Sequence, residues 1–365
     1  MHNVTFHNIG NADCTRIDLE NGKKILFDFA NRGIPEDDSD LRCNLPEELR
    51  EDLGDRDYYD VVAFTHLDAD HYCGATEFFY FEHIKKYQGD VEGEPRIRMD
   101  KMWVPAAVLT ESLSEREAKA IQFEARERFK AGAGIRVFSR PARLKDWCRD
   151  NGVDLDARKH LITDAGKNAL EFSMDDDEVE FFVHSPYAMR QDANSVEDRN
   201  GDALVMHATF RCDGVETRLF LGSDAPHMVL TDIVHVTESK GRSERLKWDI
   251  FKLPHHCSYT TLGDEKGKDK TVPVPEVARL FEDYGQPDCI VVSTSDTIPA
   301  KGDLRDRQTA PNPPHRPAAN YYKDDVAGPN MGQFIVTMEH PSAAKPKPLV
   351  VEIDSLGATV RKREL

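Results

Sequence analysis

The sequence predicts a mixed α/β sandwich with a functional site at one edge of its sheets. Short apolar runs typical of buried strands alternate with segments of helical spacing along most of the 365 residues. Polar clusters recur where these runs end, and α/β proteins commonly place their sites at strand ends. We expect one domain over residues 1–365, with approximate halves at 1–190 and 191–365.

The first half opens with three predicted strands, at residues 4–9, 14–19 and 24–29. Asn21-Gly22 between the last two is a strong hairpin signal, because both residues tolerate positive φ. The third strand places Asp28 among apolar neighbours. A carboxylate buried there needs a partner or a cation, so a structural hydrogen-bond role and a supporting role beside metal ions both stay open.

The stretch 61–74, VVAFTHLDADHYCG, is the densest cluster of candidate metal ligands. A strand-like run at 61–65 is followed by four such residues within six positions: His66, Asp68, Asp70 and His71. The segment 76–87 then has helical spacing, so the four lie in a strand-to-helix loop where side chains converge. Imidazole and carboxylate together suit zinc or manganese. The alternative interpretation, in which the acidic residues cap a helix N-terminus, does not explain the histidines on both sides.

The middle of the chain predicts a strand at 101–108 and a helix at 111–130. Thr110 or Ser114 is the expected helix cap, and glycines at 132 and 134 end the helix. Much of the segment 85–178 is interpreted as a helical insertion that covers the site.

Three predicted strands of the second half also end in candidate ligands. The strand 179–183 leads to His184, the strand 217–221 to Asp224, and the strand 249–253 to His255 and His256. In isolation, His184 is better explained as a polar residue leaving the core, and Asp224 as a turn or cap residue. Further elements are predicted as a strand at 203–210, helices to about 236 and at 275–284, and strands at 289–293, 334–338 and 349–353.

The composition is that of a folded globular protein, with 39% hydrophobic and 31% charged residues. The net charge of −18 argues against broad nonspecific binding of nucleic acid, but it leaves a local basic groove open. Seven scattered cysteines without a CxxC pair fit a reducing compartment. With no visible signal peptide and no apolar run of about 18 residues, we expect a cytoplasmic protein with no membrane partner.

Five segments together resemble the metallo-β-lactamase superfamily, and within it the hydrolase domain of ComEC-type DNA-uptake proteins. These segments read NIGNAD, ILFDFAN, HLDADH, LFLGSDA and FKLPHHCS. The superfamily's first motif is HxHxDH, with Asp68 here in place of the second histidine. Cys257 stands where the family usually has glycine, so the backbone differs there if that glycine has positive φ.

The resemblance implies an αββα sandwich with two divalent metal ions, zinc or manganese. Its implied ligands are His66 and Asp68 at the first metal, Asp70 and His71 at the second, Asp224 bridging, and His255 preferred to His256, with His184 left open. Asp68 adds charge and a hard donor, which shifts the preference from two zinc ions towards manganese.

The same resemblance implies hydrolysis by a hydroxide that the two metals activate. Asp70 is placed to orient it, and His256 or His315 to protonate the leaving group. Lys252 and Arg316 are candidates for holding a phosphate, with an ordinary surface role as the alternative for each.

The leading hypothesis is therefore a metal-dependent phosphodiesterase or nuclease that acts on nucleic acid or a nucleotide; whether it works beside a protein partner stays open. One alternative is a hydrolase of carboxylic esters, lactones or thioesters, since the same hydroxide attacks carbonyls. The other is a catalytically silent binding or scaffold protein. Unused buried carboxylates are costly without cations, which disfavours this last reading.

Overall fold

The computed structural model describes residues 1–34, 37, 39–193 and 198–361, and they form two β-sheets. The nine-stranded sheet has the order β15-β14-β1-β2-β3-β4-β5-β6-β7, and the six-stranded sheet has the order β13-β12-β11-β10-β9-β8. The strands are β1 His2–Phe6, β2 Thr15–Asp18, β3 Lys24–Phe27, β4 Tyr58–Ala63, β5 Arg98–Pro105, β6 Ile135–Phe138, β7 Ile162–Thr163, β8 Val179–Ser185, β9 Val205–Cys212, β10 Val215–Leu221, β11 Trp248–Lys252, β12 Gly285–Ser293, β13 Gln333–Val336, β14 Leu349–Asp354 and β15 Gly357–Val360.

Helices cover the outer face of each sheet. The α-helices are α1 Leu45–Leu53, α2 Ala69–Tyr72, α3 Ala75–Phe78, α4 Ala106–Thr110, α5 Arg116–Ala131, α6 Ala142–Asp150, α7 Ala188–Ala193, α8 His227–Ser239, α9 Pro275–Glu282 and α10 Arg316–Tyr321. A π-helical segment, Tyr322–Ala327, continues α10.

Three apolar layers make this an αββα sandwich, which confirms the predicted fold class. Successive side chains of a strand point to opposite faces. In β4 and just after it, Val61 and Ala63 pack between the two sheets, whereas Val62 and Phe64 pack under α1, α3 and α5. A third layer lies between the six-stranded sheet and α8, α9 and α10.

Parallel strands bring the site residues to one edge. Strands β3 to β7 are parallel to one another, as are β10 to β13. The loops that follow β3, β4, β10, β11 and β12 therefore leave the sandwich at the same edge, which is the usual position of a site in such sheets.

The helix predicted at 76–87 is wrong beyond Phe78. Phe78, Phe79 and Phe81 are all buried, and consecutive aromatic residues cannot all lie on the single apolar stripe of a surface helix. Phe79 instead forms a parallel bridge with Ile97.

The helix predicted at 111–130 is present as α5 but begins later, and the strand predicted at 101–108 ends earlier, where α4 takes over. Strand β5 ends at Pro105, which has no N–H for a further ladder bond, and α4 begins at the next residue. Helix α5 starts only at Arg116, and neither expected cap serves it: the Ser114 hydroxyl donates to the Glu115 carboxylate at 2.6 Å. Its end is as predicted, because Gly132 is left-handed with φ 85°.

The segment 85–178 is more than a set of helices laid over the site. It supplies α4, α5 and α6, and it also supplies β5, β6 and β7, which extend the nine-stranded sheet beyond β4.

Among the described residues, no helix is long and apolar enough to cross a bilayer.

Candidate metal centre

Four buried side chains from distant parts of the chain meet at the shared edge. Asp13, His71, Asp224 and His256 each offer a donor atom within 4.8 Å of the others. Asp13 follows β1, His71 lies in α2, and the other two follow β10 and β11. The backbone N–H of Asp13 donates to the carbonyl of Asp70 at 2.9 Å, which ties the first turn of the chain to the ligand loop.

Asp28 sets the orientation of His71. Its Oδ2 lies 2.8 Å from Nδ1 of His71, and a carboxylate only accepts, so Nδ1 carries a hydrogen and Nε2 is the nitrogen that faces the centre. Asp28 in turn accepts from the backbone N–H and the hydroxyl of Thr65, both at 2.7 Å. Burial lowers the pKa of His71, but the carboxylates of Asp224 and Asp28 outweigh it and leave that pKa well raised.

His66 lies beside His71, with their ring centroids 4.0 Å apart. Its Nε2 is 3.7 Å from Oδ2 of Asp68 and 3.9 Å from Oδ2 of Asp224. Burial, with the neighbouring His71, lowers the pKa of His66 to about 4. The ring is therefore neutral near pH 7, which is the form that binds a metal.

His256 is fixed in the same manner as His71. Its Nδ1 donates to the carbonyl of Thr294 at 2.7 Å, so Nε2 faces the centre, 3.2 Å from Oδ2 of Asp70. Burial opposes protonation, yet the bond to Asp70 raises the pKa of His256. Burial likewise disfavours ionised Asp70, and the same bond still keeps the pKa of Asp70 low.

The loop after β11 has an unusual backbone that aims His256 inward. His255, His256 and Cys257 have φ of 49°, 52° and 64°, a left-handed region that costs L-residues about 1–2 kcal/mol each. The positive φ typical of glycine is thus kept at Cys257. Such strain concentrates where a site fixes a side chain.

Asp13 is the functional candidate that sequence reasoning missed. One of its oxygens accepts from the Thr294 hydroxyl at 2.6 Å, and the other pairs with the buried ammonium of Lys252. Burial would raise the pKa of Asp13, but Lys252 and the nearby histidines lower it. The NIGNAD segment contained the signal, since an acidic residue closes a polar turn in a motif already noted.

The centre fits divalent cations. Nε2 of His66 is buried and makes no hydrogen bond within the described part of the chain, and Nε2 of His71 and Oδ1 of Asp224, which lie 3.2 Å apart, have no other partner there. Orphaned polar atoms in a protein interior are rare and need an explanation. Nitrogen and carboxylate donors that converge on one point are the set that zinc and manganese take.

Asp68 is held at the rim by a residue that the sequence did not indicate. Arg199 donates from Nη1 to Oδ1 of Asp68 at 2.9 Å and from Nε to Oε2 of Glu111 at 2.7 Å. The other oxygen of Asp68 is the one that faces His66.

The remaining predicted residues lie outside the four-residue cluster. His184 stacks on Phe220, with ring centroids 5.1 Å apart, and its Nε2 bonds to the carbonyl of Arg245. His184 is thus a core histidine at the far side of β10, where it cannot reach the cluster. Burial also lowers its pKa well below the usual value.

His315, Lys252 and Arg316 do not project into the opening above the centre. His315 is buried and accepts from the backbone N–H of Tyr259 at 3.3 Å. Lys252 is held by Asp13, and Arg316 donates to Asp306 at 2.8 Å. Lys252 therefore balances charge within the centre.

A cavity of about 350 Å³ opens directly above the centre. Asp70, His255 and His256 line it, and its other charged lining residues are Arg32, Arg42 and Asp296. His255 therefore faces this cavity, while His256 is the histidine of the pair that joins the four-residue cluster.

The geometry defines an αββα protein with a buried His/Asp centre at its sheet edge. No family model matches the chain, and no curated protein matches it. Among solved structures, the chain is similar to Tm1679, a metal-dependent hydrolase of the β-lactamase superfamily, with 11% identity, a TM-score of 0.40, and coverage of 92% of this chain and 95% of that one. It is also similar to a diphosphatase from the PhnP family, with 9% identity, a TM-score of 0.32, and coverage of 80% and 85%. These similarities concern the fold alone.

Proposed function

We propose that this protein is a divalent-metal-dependent phosphodiesterase that acts on nucleic acid or a nucleotide, in line with its resemblance to the ComEC-type hydrolase domains. One observation carries the proposal. The potential metal-ligand atoms Nε2 of His66, Nε2 of His71 and Oδ1 of Asp224 make no hydrogen bond to described residues outside the buried centre, and the centre opens into a cavity that two arginines line.

The ligands that we propose for the cations are three histidines and three carboxylates. His66, His71 and His256 supply nitrogen, and Asp224, Asp70 and Asp68 supply oxygen. Two bound divalent ions would acidify a water and stabilise the charge that develops on a phosphoryl oxygen. The carboxylates Asp28 and Asp13 support the centre without facing the substrate cavity.

The protein's own groups position the substrate and the ligands. Asp28 and Thr294 fix the rings of His71 and His256, so that each presents Nε2 to the centre. Arg42 is held by a bidentate pair with Asp40, with donor–acceptor distances of 2.7 and 2.8 Å, and its pKa is raised by those bonds. Arg32 makes one long bond, 3.3 Å, to the carbonyl of Asn11, so its guanidinium is available to a phosphate.

The two arginines of the cavity favour a phosphodiester over a neutral ester. A guanidinium binds the paired oxygens of a phosphate with charge-assisted hydrogen bonds. A lactone or thioester carries no charge, so Arg32 and Arg42 would add little to its binding. Hence the carbonyl alternative has less support from the residues around the cavity.

The proposal is tested with purified protein supplied with manganese or zinc. We expect turnover of bis(p-nitrophenyl) phosphate and of single-stranded DNA, and none of a lactone. Asp224→Asn removes a shared oxygen ligand and should abolish phosphodiester turnover. Asp264→Asn, at a side chain that is 88% exposed, is the matched control and should leave the rate unchanged. Turnover of the lactone alone would refute the proposal.

A further inference from the structure

A second and larger cavity lies at the same edge of the sandwich, away from the metal centre. Its volume is about 1220 Å³. Its walls come from the loops after β6 and β7, from α6, α7 and α8, and from the segment 155–159, with Arg140, Lys145, Arg190 and Lys240 among its lining residues.

This cavity continues into two smaller ones and so forms a groove. A cavity of about 370 Å³ shares Tyr187 and Lys240 with the first and extends to Arg242. A third, of about 310 Å³, shares Arg242 and adds Arg245. We call the three together the basic groove.

The basic groove is positive on an acidic protein. Eight lysines and arginines line it, against four aspartates and glutamates, whereas the whole chain carries −18. Some of its cations are held in place: Arg140 pairs with Asp164, and Arg190 donates to Asp232 at 2.9 Å. Lys145 and Lys240 are exposed and make no ion pair within the described ranges, so their charge is available to an anion.

The groove also offers apolar surface between its charges. Tyr187 is half-buried, and burial raises the pKa of its hydroxyl. Met189 in α7 is 85% exposed. Aromatic and apolar side chains beside spaced cations are what an unpaired nucleic-acid strand requires, since its bases stack while its phosphates meet the charges.

The position of the groove relates it to the metal centre. Arg140 follows the carboxyl end of β6, and Tyr187 follows that of β8, so both lie at the edge that holds the ligands. In the nine-stranded sheet β7 is three strands from β4, or roughly 15 Å at the usual strand spacing. A strand of a few nucleotides spans that distance.

Adjacent residues also link the groove to the centre. Arg190, in the groove, lies 3.9 Å from the carboxylate of Asp198. The next residue, Arg199, donates to Asp68 at 2.9 Å.

We infer that the basic groove binds a single strand of nucleic acid and leads it to the metal centre. This inference rests on the proposed function and names its substrate class. The −18 charge restricts such binding to this local groove, because the rest of the surface repels phosphates.

Fluorescence anisotropy with labelled oligothymidylates in EDTA, which prevents cleavage, tests the inference. We expect a ten-nucleotide strand to bind at least tenfold more tightly than a dinucleotide or thymidine monophosphate, and more tightly than a ten-base-pair duplex. The double variant Lys145→Glu/Lys240→Glu should weaken binding of the ten-nucleotide strand at least tenfold. The salt dependence of binding should also become shallower, by a slope of about 1.4, because the variant neutralises two fewer phosphates.

A matched control separates the groove from overall charge. Lys85→Glu/Lys323→Glu changes the net charge equally at exposed lysines outside the groove, and it should alter the affinity less than twofold. Equal weakening by both double variants, or none by the groove variant, would overturn the inference. Tighter binding of the duplex than of the single strand would do so as well.

A second readout keeps this result distinct from that of the proposed function. Bis(p-nitrophenyl) phosphate is too small to occupy the groove, so the groove variant should hydrolyse it at the normal rate in manganese. If the native protein binds the strand in the groove but hydrolyses no phosphodiester, the proposed function fails while the binding site stands. If it hydrolyses the small ester and the groove variant binds DNA normally, the groove inference alone fails.

Discussion

Asp28 determines which nitrogen of His71 can meet a cation. The carboxylate holds the hydrogen on Nδ1, and Thr65 holds the carboxylate through two bonds of 2.7 Å. Such outer partners orient a ligand and increase its basicity. Without Asp28, either ring nitrogen of His71 could carry the hydrogen, and the ring would be free to rotate.

Replacing this carboxylate by its neutral amide should weaken metal binding. We expect Asp28→Asn to reduce the affinity for manganese or zinc by about 10- to 100-fold, as measured by equilibrium dialysis, with turnover recovering at saturating metal. Asp55→Asn, at an exposed side chain, serves as the control. An unchanged affinity in Asp28→Asn would show that His71 needs no such support.

Asp202 is a buried carboxylate outside the metal centre that costs stability at neutral pH. Burial and the nearby Asp198 raise its pKa to about 6. In the unfolded chain the pKa of an aspartate is near 3.9, so folding favours the protonated form of Asp202 relative to the ionised one. The contribution of protonated Asp202 to the free energy of unfolding is therefore complete below about pH 4 and is lost as the pH rises through 6.

The amide Asp202→Asn avoids that cost. We expect the variant to be more stable than the native protein by about 1–3 kcal/mol at pH 8, with the difference disappearing near pH 4. Urea unfolding at the two pH values measures it, with Asp55→Asn as the control. A gain of equal size at both pH values would contradict the titration of Asp202.

At the scale of secondary-structure elements, the end of a helix can require one residue type as strictly as a metal centre does. Helix α5 ends at Gly132, whose φ of 85° lets its N–H bond to the carbonyl of Arg128 at 3.0 Å. A Cβ at this position would lie 3.4 Å from the Arg158 guanidinium, which is an ordinary contact. The backbone conformation, and not crowding, is thus what requires glycine.

Gly132→Ala should therefore lower the free energy of unfolding by about 1 kcal/mol. Gly89→Ala is the matched control, because Gly89 does not have positive φ and a Cβ there meets nothing within 4 Å. Thermal unfolding of both variants gives the comparison. Equal stability of the two would mean that the helix end does not need the left-handed residue.

Sequence periodicity identified elements better than their ends. The runs that form β3, β4, β10 and β11 were correctly predicted as strands because their apolar residues are continuous or alternate. The helix expected at 76–87 failed because its aromatic residues serve a layer of the core and not one helix face. Asp13 was overlooked although the NIGNAD segment ends in it, because its pairing with Lys252, 239 positions away, is visible only in the folded chain.

For the whole molecule, the sandwich holds a concentration of negative charge that a cation would relieve. Asp13, Asp28 and Asp224 are all buried at the shared edge, with Lys252 as the lysine partner of Asp13. Carboxylates in a protein interior need counter-charges.

The fold class was predictable because layers follow from alternation, whereas the choice of His256 over His255 depended on three left-handed residues that no local pattern indicated.

Metal should consequently stabilise the folded protein. At 100 times its dissociation constant, a bound ion adds about 2.7 kcal/mol, which corresponds to a rise in Tm of roughly 3–4 °C for a protein of this size. Thermal unfolding with and without manganese measures the shift. Asp224→Asn should stay folded and lose most of the shift, whereas Asp264→Asn should keep it.

The centre also joins the two sheets. His66 and His71 belong to loops of the nine-stranded sheet, and Asp224 and His256 belong to loops of the six-stranded one. The ligand set is therefore complete only when the two sheets are docked against each other. We expect a cation bound there to slow unfolding and to leave the refolding rate almost unchanged, because interactions that form after the transition state affect mainly the unfolding rate.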